Sequence, residues 1–138
     1  MKTALPARTW ETRPRRNDRG SASVELVILL PALFAILFLG TQAALYHHAR
    51  TVAIAAAQEG ARAAAAERGT EQAGITAATG FVEDAGGDDV LTRSTVSATR
   101  TPVRATVTVR GTALSVIPGW RPTIRQTASL SVERLTSP

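Results

Sequence analysis

The sequence predicts an α+β fold: a long N-terminal α-helix, transmembrane at first and continuing outside, then a short second helix and a small three-stranded antiparallel β-sheet. Three observations lead there. From Leu26 to Tyr46 the chain is apolar and carries no formal charge. From His47 to Arg68 it is dominated by alanine, the strongest intrinsic helix former. Beyond residue 100 two segments, Val103–Arg110 and Ile124–Glu133, alternate apolar and polar residues, apart from Gln126, the mark of half-buried strands.

The apolar run comes first in the argument. At about 1.5 Å per residue, Leu26 to Tyr46 reaches roughly 30 Å, the thickness of a bilayer's hydrocarbon core. A helix apolar on all sides needs a large protein to bury it, and 138 residues do not supply one. A single membrane span is therefore expected. A cleaved secretory signal fits less well, because the basic region is long and the alanine-rich sequence continues as good helix past the apolar run. Pro31 lies inside the span, where it either loosens the turn from Val27 to Pro31 or is tolerated as prolines in membrane helices often are.

Charge sets the expected orientation. Residues 1–20 hold Lys2, Arg8, Arg13, Arg15, Arg16 and Arg19 against Glu11 and Asp18, a net +4 of the chain's +5. This leader precedes the span directly, so the N-terminus is expected in the cytoplasm and the remainder outside. The rest of the chain is close to neutral, which leaves no basic surface for a nucleic acid backbone. The expected organisation is a basic leader at 1–20, a membrane helix at 21–46, its extracytoplasmic continuation at 47–68 and a small α+β domain at 69–138.

The continuation carries small residues at three- and four-residue spacing: Ala53, Ala56, Ala57, Gly60, Ala61 and Ala64. Such a stripe permits close approach by a sheet or another helix. Either the chain's own domain covers it or a neighbouring subunit does, with Ala53, Ala56, Gly60 and Arg62 as candidate contacts. A second helix is expected from Thr70 or Glu71 to Ala85, ended by Gly86 and Gly87. Strands are expected at Thr92–Arg100, Val103–Arg110 and Ile124–Glu133, with Gly111 to Pro122 as a loop. In that loop Trp120 is read as core filler or as an exposed contact.

No chemistry is evident. The chain has no cysteine, which removes disulfides, thiolate metal sites and cysteine nucleophiles. His47 and His48 are adjacent on a helix and point about 100° apart, which is poor for one metal ion. Glu83, Asp84, Asp88 and Asp89 do not have the spacing of a calcium loop. Nucleophile elbows and phosphate-cradling glycine loops are missing as well. The chain is expected to be non-catalytic, with no metal, cofactor or small-molecule substrate.

The most informative stretch is Arg19-Gly20-Ser21-Ala22-Ser23-Val24-Glu25-Leu26. A lone carboxylate at the edge of an apolar run is costly, and it usually has a cationic partner or serves as a helix-start charge. If the chain were cut after Gly20, the new α-ammonium of Ser21 would lie one turn before Glu25, within pairing distance at i,i+4. A leader ending in glycine, a glutamate at the fifth residue after it and an apolar helix resemble the type IV pilin class processed by prepilin peptidase.

More specifically, residues 15 to 68 resemble TadE-like proteins, the pseudopilins associated with Flp, or tight-adherence, pili. Gly20, Ser21 and Glu25 match the processing motif, Pro31 a common proline, and Glu59-Gly60-Ala61-Arg62 the post-membrane helix. Many members carry an aromatic residue after the glutamate; this chain has Leu26. The resemblance implies a structural or assembly component of a bacterial pilus, held in the plasma membrane. Its implied partners are the lipid bilayer, prepilin peptidase and other pilus subunits or pseudopilins. The competing expectation is an unprocessed, single-pass membrane-anchored binding domain of the envelope.

Overall fold

The computed structural model describes residues 18–133, with side chains from Val24 onward. Most of the basic leader, residues 1–17, lies outside the described residues. In chain order the elements are α1 (Asp18–Ala65), α2 (Glu71–Asp84), a 3₁₀ turn (Gly87–Asp89), β1 (Leu91–Arg100), β2 (Arg104–Ala113) and β3 (Thr123–Ser131). The expected α+β class is the observed one. The chain divides into two units, one ending at Ala35 and one running from Ile36 to the C-terminus.

In the first unit α1 is helical through Pro31, and every described side chain from Val24 to Ala35 is exposed. The folded core belongs to the second unit. There α1 buries Ala49, Val52, Ala53, Ala56, Ala57, Ala61, Ala64 and Ala65, a stripe at helical spacing. The inner face of the sheet meets it with Ala105, Val107, Val109 and Ile124, and α2 adds Ala78 and Val82. Small side chains on the helix and β-branched ones on the strands allow close approach, so a thin core is filled without a fully buried aromatic ring, Tyr46 packing only partly buried against it.

Packing is close where α1 crosses α2. A Cβ added at Gly60 would stand 2.7 Å from the Gly74 carbonyl oxygen and 2.9 Å from Ala78 Cβ, while one added at Gly74 would stand 2.9 Å from the Gly60 oxygen. Two glycines facing each other let the helix backbones touch, as small residues do in close helix pairs. The partner that closes on the small-residue stripe thus belongs to the same chain: its own sheet and its own second helix.

The sheet has the order β1-β2-β3 and both pairings are antiparallel. Its outer face is polar and hydroxyl-rich. Thr106 and Ser129 pair across β2 and β3 at 2.7 Å, and Thr108 and Thr127 at 2.9 Å. One polar face and one buried face is the usual state of an antiparallel sheet covered on one side. A register shift between Thr92 and Thr95 puts Arg93 at φ 51°, a bulge near the start of β1.

Several boundaries differ from those expected. α1 ends at Ala65 rather than Arg68, because the chain turns there: the Gly69 N–H donates to the Ala66 carbonyl. β1 begins at Leu91, whose side chain is fully buried. β2 runs through Gly111 to Ala113 rather than stopping at Arg110, because Gly111 and Thr112 pair with Ile124 and Thr123. Gly111 is required there, since a Cβ would collide with the Leu91 side chain. β3 ends at Ser131, and the Glu133 N–H instead donates to the Ala65 carbonyl at 2.9 Å.

Candidate functional site

Two regions carry functional interest, one in each unit. In the first, Gly20 and Ser21 lie within the helical start of α1, and Glu25 follows one turn later with an exposed side chain. Beyond it Leu26, Val27, Ile28, Leu29 and Leu30 are all more than half exposed. The helix is long and apolar enough to cross a membrane, and none of its most apolar stretch is buried inside the protein. Water is a poor solvent for such a surface, so this helix is a candidate membrane anchor.

In the second region, the chain clasps the C-terminal part of α1 at two places, Gln42 and Ala64. Gln42 is 1% exposed. Its Nε2 donates to the Leu114 carbonyl at 3.1 Å, and its Oε1 accepts from the Val116 N–H and the Ser115 hydroxyl, both at 2.9 Å. An amide on an otherwise apolar helix is thereby satisfied, and the loop between β2 and β3 is fixed to α1. The opposite end is held by Arg100. Its Nε donates to the Ala64 carbonyl at 2.8 Å, one that the helix end leaves unpaired, and its NH2 group gives the Ala66 carbonyl a second donor at 3.3 Å beside the Gly69 N–H. The Arg100 N–H donates to the Glu71 carboxylate at 2.7 Å, and Thr70 caps α2 by accepting from the Ala73 N–H.

The remaining candidates separate clearly. Ala53, Ala56 and Gly60 are buried in the chain's own core, whereas Arg62 is exposed and paired with Glu59 at 3.0 Å. Such a surface i,i+3 pair contributes little. Tyr46 and His47 stack edge-on at 6.1 Å, and no group of three or more metal-ligating side chains occurs among the described residues. Trp120 is 50% exposed, so it is not core filler. Neither Gln42 nor Arg100 stood out in the sequence. For Gln42 a signal existed: it is the only amide in the run from Leu26 to Tyr46. Arg100 has none, being one of many arginines.

No curated protein and no solved structure matches the chain significantly. A family model does match, that of TadE-like protein, over residues 20–62. The matched segment runs from the glycine before the apolar helix, through Glu25 and Pro31, to Arg62, and TadE-like proteins are Tad pilus-associated components. Over this segment, which includes the candidate anchor helix and the stripe that packs on the sheet, the chain is similar to TadE-like proteins, the family that its sequence resembles.

Proposed function

We propose that this chain is a minor pseudopilin of a tight-adherence pilus, inserted in the bacterial plasma membrane by α1 and cut by prepilin peptidase after Gly20. The basic leader stays in the cytoplasm and the α+β unit lies outside. The protein performs no catalysis; its work is to present a folded head on a membrane helix for pilus assembly. Its partners are the peptidase and other pilus subunits.

The observation that carries the reading is the Gly20–Ser21 junction with Glu25 one turn on, at the head of an exposed apolar helix and inside the family match. An ionised carboxylate near the edge of a bilayer is costly without a cation. Cleavage supplies one, the Ser21 α-ammonium, either in the same chain or in a neighbouring subunit. A plain membrane anchor has no need of this arrangement.

The test is the intact mass of protein extracted from membranes through a C-terminal tag, from cells with and without prepilin peptidase. The expected result is a chain that begins at Ser21 only when the peptidase is present, and that remains full-length in Gly20→Ala. An unprocessed chain in all samples would refute the pseudopilin reading and leave a membrane-anchored binding domain.

A further inference from the structure

We propose that the loop between β2 and β3 is a second membrane contact, which lays Val116, Ile117 and Trp120 into the headgroup–acyl boundary beside α1. The inference rests on the reading of α1 as a membrane helix and adds a membrane-binding element from the folded unit. Three observations within that unit support it.

The first is depth. The loop is tied to α1 at Gln42, three residues after Leu39 and so about 4.5 Å farther along the helix. Leu39 is 57% exposed and continuous with exposed Ile36, Leu37 and Phe38. Leu39, Ala43, Tyr46, Trp120 and Pro122 line one open groove of about 550 Å³. A bilayer that covers Leu39 therefore reaches Trp120, and lipid is the occupant that the groove's continuity with the exposed apolar side chains Ile36 to Leu39 selects.

The second observation is chemistry. Val116 and Trp120 are exposed apolar side chains at the loop's surface, with Arg121 exposed next to them. Tryptophan concentrates at the membrane interface, where its ring is in the acyl region and its N–H in the headgroups, and arginine extends its charge outward from the same depth.

The third is the backbone. Groups entering a lipid phase need internal partners. The Val116 N–H donates to Gln42 Oε1 at 2.9 Å, the Ile117 N–H to the Ser115 hydroxyl at 3.2 Å, and the Trp120 N–H to the Ile117 carbonyl at 3.2 Å. Pro118 and Pro122 have no N–H to satisfy.

The experiment uses the full chain with Trp10→Phe, so that Trp120 is the sole tryptophan, reconstituted at low protein density in phosphatidylcholine vesicles. Trp120 emission is expected to be blue-shifted. Lipids brominated near the carbonyl end of the acyl chain should quench it strongly, lipids brominated near the terminal methyl more weakly, and aqueous iodide least. Strong iodide quenching with no response to brominated lipid, in protein that resists alkaline carbonate extraction, would overturn the loop contact and leave the anchor intact. Release of the protein by carbonate would overturn both.

Discussion

Alanine at position 60 tests whether the α1–α2 crossing is as close as the two facing glycines imply. In an isolated helix Gly→Ala would stabilise by about 1 kcal/mol. Here the new methyl would lie 2.7 Å from a backbone oxygen of α2, 2.9 Å from Ala78 Cβ and 3.0 Å from a Val107 methyl. None of these is the end of a flexible side chain, so α2 or β2 has to shift. Overpacking of this kind costs about 1–3 kcal/mol, and with contacts on three sides the upper half of that range applies.

The net expectation for Gly60→Ala is a loss of roughly 1–2 kcal/mol, hence a fall in Tm of about 5–15 °C for a domain of this size. Gly80→Ala in α2 is the internal control: nothing lies within 4 Å of its added Cβ, so it should gain up to about 1 kcal/mol. Thermal unfolding of the detergent-solubilised full chain, followed by near-ultraviolet circular dichroism, reads both. If Gly60→Ala raised Tm as Gly80→Ala does, the close crossing would be wrong.

Two further outcomes are expected from the clasps. Gln42→Leu makes the helix more apolar yet leaves the Leu114 carbonyl and Val116 N–H without their partner, a loss of about 1–3 kcal/mol, with faster hydrogen exchange confined first to residues 114–122. Arg100→Met retains much of the side-chain bulk and removes the two bonds to the end of α1, costing about 1–2 kcal/mol in urea titration; Arg100→Lys recovers only part of it, because an ammonium lacks the planar fork that reaches both carbonyls.

Features written in local order were legible without coordinates. The apolar run, the alanine helix, the start of α2 at Thr70 or Glu71, the Gly86–Gly87 stop and the alternation of Ala105, Val107 and Val109 each follow from one turn of helix or one step of strand. The extent of β2 was not legible, because Gly111 reads as a breaker in isolation. It becomes a strand residue only when the Leu91 side chain needs the space above it.

What the sequence by itself determined is the list of segments and their chemistry: an uncharged helix with a carboxylate at its edge, a small-residue stripe, and strands with one apolar face. What only the tertiary structure decided is which surfaces those segments leave for others. The stripe suits a neighbouring subunit or the chain's own sheet equally well by spacing, and three-dimensional packing gives it to the sheet and α2. Gln42 and Arg100 acquire their roles from partners 72 and 36 residues away. The physical reason is that periodicity specifies a face, whereas hydrogen-bond geometry and close packing specify what meets it.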